Sequence, residues 1–454
     1  MADDGNVPPF FEGFMLFLVA VYAFEAYLDV RQRRKLLEKT VPAALAGVVT
    51  QEEFESARAY SLDKNGLTML QEGVNTTATA LFYLMGGLPW LWGCAGALLD
   101  ACRLGSEGEM AQSLAFVALY YVQGTIQGLP WELYETFVVE ERHGFNKQTF
   151  ALFVTDQLKT HALFAILGTP TLAGLLAVIR WGGALFYVYA WGLVFVLLLF
   201  FLTVYPNVIA PMFNTFTPLA EGPLKKAIDD LAKLNKFPLK KLYCVDGSTR
   251  SSHSNAYFYG FGSNKRIVLY DTLCPELLAV EKKEGEKKAE KTEEEKAREM
   301  ASSCTIEEIV AILAHELGHW KMSHTLCQLA VSQVHVFFFF FSLGYMLNSD
   351  GMYKSWGFKD DRAVIIGLIL FSNVVSPVEH VIGFLQNSLT RRFEYQADFF
   401  AVQQGRGDAL SKGLVKISKG NKSNLNPDWM HSAYHHTHPA LLERLNAISK
   451  ALKK

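Results

Sequence analysis

The run "CTIEEIVAILAHELGHWKMSH", Cys304 to His324, holds His315, Glu316 and His319 in the spacing H-E-x-x-H. On a helix, residues four apart project from one face about one turn separated, so the two imidazoles can share one metal ion. Glu316, next to the first of them, can reach a water at that metal but not easily the metal itself. Zinc draws the pKa of such a water towards about 7, so a neighbouring carboxylate can take its proton as it attacks a peptide carbonyl. The same carboxylate can then pass the proton to the leaving amine. Leu317 and Gly318 fill the middle of the motif and apolar "IVAILA" precedes it, the pattern of a helix buried on one face with its histidines opening into a cleft.

Catalytic zinc needs a third protein ligand. A continuation H-x-x-G-x-x-H would place glycine at Met322 and histidine at Thr325, and His324 is off by one, so that solution fails. The other common solution is a glutamate on a second helix. "RRFEYQADFFA" offers Glu394, with Asp398 four residues on and one turn away on the same face. In that arrangement Glu394 is a ligand and Asp398 accepts a hydrogen bond from a ligand histidine. The competing reading is a surface glutamate paired with Arg391 or Arg392.

These side chains need elements to hold them. Thr305 and Glu308 have capping-box spacing, so the motif helix should begin at "CTIEE". Seven apolar segments are long enough to cross about 30 Å of hydrocarbon: Phe10 to Val30, Thr77 to Leu99, Leu114 to Val138, Leu163 to Ile179, Ala184 to Tyr205, Leu326 to Leu347 and Val364 to Phe384. Glu25, Asp29, Glu132 and Glu135 lie within the first and third of these. Such carboxylates either face a protein or water interior or mark helix ends at the interface. With 454 residues, 50% hydrophobic and only 19% charged, the chain is composed like a multi-pass membrane protein, with the lipid bilayer as its surroundings. A net charge of −2 gives no case for nucleic acid as a partner. The six cysteines are scattered with no C-x-x-C, so neither a disulfide framework nor a cysteine metal site is expected.

Basic "RQRRKLLEK" follows the first span and acidic "MADDGN" precedes it, which places the N-terminus on the lumenal side and, by alternation, the motif and C-terminal tail in the cytosol. The sequons at Asn75 and Asn421 then fall on the cytosolic side and should be unmodified. The domain division expected is 1–206 for five spans, 207–325 for a soluble region ending in the motif helix, 326–384 for two spans, and 385–454 for a C-terminal region carrying Glu394. In the soluble region "PLKKAIDDLAKLNKF" is an amphipathic helix, and "KLYCVDG", "NAYFYGFG" and "KRIVLYD" read as strands, with "GSNK" turning between the last two. The charged run from Glu281 to Met300 reads as a solvated insertion without chemistry.

Taken together, "AHELGHWKMSH", "NSLTRRFEYQAD", "LYETFVVEERHGFNKQT", "NAYFYGF" with "KRIVLYDTL", and "HTHPALLERL" resemble the type I CAAX prenyl endoproteases, integral-membrane zinc metalloproteases of the gluzincin group. The resemblance covers nearly the whole chain. It implies a mainly α fold of seven transmembrane helices enclosing a chamber, with a gluzincin-like protease domain containing a small β-sheet. It implies Zn2+ held by His315, His319 and Glu394, Glu316 as the base, Asp398 behind the ligands, and removal of the C-terminal -aaX tripeptide from prenylated CAAX proteins. His438, in "THP", resembles the family histidine that steadies the oxyanion, although a helix-start histidine before Pro439 fits as well, and His435 and His436 are close enough to be confused with it. Arg444 is expected to orient Glu394 or the substrate. "NAYFYGF" is either a plain strand or the edge against which substrate pairs, with Asn255, Ala256 and Tyr257 supplying contacts. Phe337 to Phe341 read either as lipid-facing packing or as shelter for a prenyl chain. The location implied is the endoplasmic reticulum membrane, with the inner nuclear membrane as a second place.

Two other enzymes and one non-enzyme compete. A heat-shock-type membrane quality-control zinc protease shares the motif and the glutamate helix but has fewer spans and lacks "ERHGFN". A site-2-type protease would bury its motif inside a span and take an aspartate from an L-D-G that is absent here. A non-catalytic scaffold with structural zinc would need a fourth protein ligand.

Overall fold

In the computed structural model, described for residues 9–105, 108–260, 262, 264–273, 275, 303–359 and 361–453, helices dominate and one small sheet packs against the motif helix. The expected insertion at Glu281 to Met300 lies outside the described residues. Among the described residues five helices are long and apolar enough to cross a membrane: Phe10–Leu36, Phe150–Trp181, Gly183–Phe213, His324–Met346 and Val364–Gln403. A sixth is a bent pair, Gln51–Leu84 with Gly87–Ala101, turned by 71°. Its hinge follows from Gly86, whose φ of +70° lets the chain leave the right-handed helix at little cost. The expected span Leu114 to Val138 is helical from Glu109 to Tyr134 and runs into a π-helical turn, Glu135–Glu140, but it is not among these helices, its apolar run being interrupted by Gln123 and Gln127. Further π-helical turns occur at Phe164–Gly168, just before Pro170, and at Tyr205–Ile209, around Pro206. Proline cannot donate the regular helical bond, and the ladder widens locally to accommodate it.

Of the four intramembrane carboxylates Asp29 alone is buried, Glu25 and Glu135 are half-buried, and Glu132 is exposed. Asp29 is buried, with His431 Nε2 3.3 Å from its Oδ1 and Asn65 donating to it. Glu25 accepts from the Tyr434 hydroxyl at 3.3 Å. Asp29, Glu72, Lys64, Asn65, His431, His435 and His436 line a cavity of about 770 Å³ that reaches Asn255 and Tyr270. Of the phenylalanine run, Phe340 is buried in the helix–helix core, Phe337 meets Tyr187 and Trp191, Phe339 meets Phe371, and Phe338 points outward.

The sheet has the order β1 (Phe216–Pro218), β2 (Leu239–Val245), β4 (Lys265–Tyr270), β3 (Ala256–Tyr259). β2 and β4 are parallel, and the two outer pairings are antiparallel. The amphipathic helix Pro223–Asn235 buries Leu224, Ile228 and Leu231 against Leu242, Ile267 and Leu269 of the sheet and Ile309, Leu313 and Leu317 of the motif helix. This shared core fixes the motif helix relative to the edge strand β3.

Candidate metal centre

The motif helix, Ile306–Lys321, starts as its capping box dictates: Glu308 N donates to Thr305 Oγ1, and Thr305 N donates to Glu308 Oε2 at 2.8 Å. Every residue from Glu308 to His315 is buried, so the helix is enclosed on all sides there rather than on one face, and His315 and His319 face the long helix Val364–Gln403. That helix has 40 residues, about 60 Å at 1.5 Å per residue, so it continues without a break from its apolar first half, through Pro377, to Glu394 and Asp398. The two helices approach closely because position 318 is glycine. A Cβ there would lie 3.0 Å from Ala397 Cα and 3.2 Å from Phe400 Cβ. Gly318→Ala is expected to destabilise the protein by about 1–3 kcal/mol and to loosen its metal, because it pries Glu394 from the histidines. Thermal unfolding and metal content measure both effects, and a variant that matches wild type in each would refute this packing role.

Three donor side chains converge. His315 Nε2 lies 3.2 Å from His319 Nε2 and 3.5 Å from Glu394 Oε2, and His319 Nε2 lies 3.3 Å from Glu394 Oε1. Zinc bonds of about 2.0–2.2 Å in a tetrahedron give ligand–ligand separations of about 3.3–3.6 Å, which these distances match closely. The electrostatics point the same way. His315 Nδ1 donates to Asp398 Oδ1 at 2.9 Å, and the tautomer with its proton there turns the Nε2 lone pair to His319 and Glu394. Glu394 is 2% exposed, and its Oε2 faces His315 Nε2 at 3.5 Å as well as His438 Nδ1 at 2.8 Å. Lone pairs and a carboxylate packed together call for a cation among them. Among the described residues this is the one cluster of histidine, cysteine and carboxylate side chains arranged for a metal.

The surface-glutamate alternative does not hold: Arg391 pairs with Glu443 at 2.8 Å, not with Glu394. Arg444 is buried and grips Asp398 through Nε at 2.9 Å and Nη2 at 2.6 Å, with Nη1 3.5 Å from Glu394 Oε2. Burial lifts the Glu316 carboxyl above the usual carboxylate range, against the pull of His315 and His319. His438 Nδ1 stands 2.8 Å from Glu394 Oε2, and that carboxylate raises its pKa above the ordinary histidine range. His435 and His436 line the cavity instead.

β3 is an edge strand. Tyr270 N donates to Asn255 O, and the register sets Tyr257 opposite Val268 and Tyr259 opposite Arg266. Antiparallel alternation then turns the main-chain groups of Tyr257 inward and those of Ala256 and Phe258 to the open edge. The Asn255 side chain covers part of that edge, its Oδ1 accepting from Ala256 N at 2.8 Å. Phe258 is absent from the sequence expectation; only the pairing register reveals it.

Residues 32–215 match the family described as CAAX prenyl protease N-terminal, five membrane helices, and residues 218–452 match peptidase family M48. A "CAAX prenyl protease 1 homolog" of Arabidopsis thaliana is 44% identical over 98% of this chain and 99% of its own length. The chain belongs to the CAAX prenyl protease 1 group of family M48. A member from Homo sapiens is 41% identical, over 98% of this chain and 96% of its own. The crystal structure of S. mikatae Ste24p superposes with a TM-score of 0.86 at 34% identity, covering 98% of this chain and 99% of that one. M48 membership makes the chain a metalloprotease, and the heat-shock-type and scaffold alternatives are not favoured.

Proposed function

We propose that this M48 protein is a zinc endopeptidase that removes the C-terminal -aaX tripeptide from prenylated CAAX proteins. The observation that carries the reading is the convergence of His315 Nε2, His319 Nε2 and the Glu394 carboxylate beside Glu316. When bound there, zinc supplies Lewis-acid polarisation and an acidified water. His315, His319 and Glu394 are its ligands. Glu316 takes the proton of the attacking water and returns it to the leaving nitrogen. His438 donates an N–H to the oxyanion as negative charge develops there. Asp398, clamped by Arg444, holds the His315 ring in its metal-binding tautomer.

Substrate lies extended along β3, pairing with the outward main-chain groups of Ala256 and Phe258 once the Asn255 amide swings from Ala256 N to the peptide. Tyr257 contributes its side chain. The chain sits in the endoplasmic reticulum membrane with its N-terminus lumenal and its C-terminus and catalytic face cytosolic.

The test uses purified full-length protein and a farnesylated CAAX peptide beside its unfarnesylated twin. Release of the tripeptide from the farnesylated peptide, abolished by a chelator and restored by zinc, is expected. Release that survives chelation, or none from the farnesylated peptide, contradicts the proposal.

A further inference from the structure

His324 fails as a metal ligand by sequence spacing, yet it is buried against the metal centre. It is the first residue of the spanning helix His324–Met346, placed there by the left-handed turn at Ser323 (φ +59°) that ends the motif segment. Its ring stacks on Phe393, with centroids 4.1 Å apart and planes 8° from parallel. Its Nδ1 lies 3.0 Å from His319 Nδ1, and its Nε2 lies 2.9 Å from Gln396 Oε1.

These two contacts are satisfied together by one arrangement of protons. The amide oxygen of Gln396 accepts from His324 Nε2, and the tautomer with its proton there presents a lone pair on Nδ1 to His319. That lone pair can only accept, so His319 must donate from Nδ1. The Nε2 of His319 is then left with the lone pair that faces His315 and Glu394. We infer that His324 and Gln396 form a tautomer relay that sets His319 as a metal ligand, the counterpart of Asp398 and Arg444 behind His315. His324 is a positioning residue, acting through His319.

The relay is uncharged, unlike its counterpart. A metal-ligating histidine commonly donates its second N–H to a carboxylate, a backbone carbonyl or a water. Here one ligand histidine leans on a carboxylate clamped by Arg444 and the other on an imidazole, while Glu394 itself lies near His438 Nδ1 and Arg444 Nη1. Gln396 and Phe393 flank Glu394 on the long helix. The relay therefore also ties the start of the spanning helix to the element that bears the third ligand.

The inference rests on the zinc reading above, and wild-type zinc content separates the two: a wild type that holds no zinc fails that reading. The experiment measures zinc transfer from the full-length holoprotein to a chelator for wild type, His324→Phe and His324→Asn. Phenylalanine keeps the stacking on Phe393 and removes the acceptor. Asparagine loses the stacking but sets Oδ1 where Nδ1 was. The expected result is that His324→Phe binds zinc about 10- to 100-fold more weakly, while His324→Asn stays within a few-fold of wild type. Cobalt-substituted His324→Phe should also show an altered visible spectrum. A packing role predicts the reverse order of the two variants. Equal zinc affinity of wild type and His324→Phe, or a His324→Asn as weak as His324→Phe, overturns the relay.

Discussion

Glu316→Gln is expected to retain one zinc per chain and to cut peptide cleavage by about 100- to 10,000-fold, the usual contribution of a positioned general base. Glutamine keeps the size of the side chain, and Glu316 is no part of the donor cluster of His315, His319 and Glu394, so neither the helix nor the metal should notice the change. What disappears is a group able to take a proton. The raised position of the Glu316 carboxyl, due to burial, already favours a base that can give its proton back to a leaving amine. Metal analysis paired with cleavage kinetics reads both halves. Loss of zinc together with activity would make Glu316 a structural residue, and retained cleavage would remove it from the reaction.

Glu394→Gln is expected to do the opposite: the fold persists and the metal leaves. Glu394 is the anionic member of the donor set, and the groups behind it do not depend on it, because Arg444 stays doubly bonded to the buried Asp398. Partners one step removed from a metal are worth about 10- to 100-fold in affinity, so a ligand itself should be worth more than about 100-fold. Zinc per chain after equilibration with a buffered chelator measures this, and helical circular dichroism checks the fold. A Glu394→Gln protein with wild-type zinc affinity would mean that the third ligand lies elsewhere.

The parts of this site legible in the sequence are those written in local spacing. The capping box of Thr305 and Glu308, the histidines four apart, the amphipathic helix Pro223–Asn235 and the three longer strands each follow from a pattern within one segment. Glu394 and Asp398 were readable because they too are four apart, but whether they meet the histidines depends on two helices crossing at Gly318, a feature no periodicity reports. β1, Phe216–Pro218, has three residues, too short for alternation to show, and exists through its partner β2. The bend at Gly86 breaks an apolar run whose hydropathy is continuous, since backbone handedness leaves no mark in hydrophobicity. His324 escapes a ligand pattern, which asks only which residues touch the metal. Its contact with His319 arises from the turn at Ser323 and from Gln396 on a distant helix.

X-ray absorption at the zinc edge of the purified full-length protein tests the central arrangement most directly. The expected spectrum has only nitrogen and oxygen neighbours at about 2.0–2.2 Å, with the outer-shell signature of two imidazoles. A sulfur neighbour at about 2.3 Å, or a spectrum with fewer than two imidazoles, would contradict it.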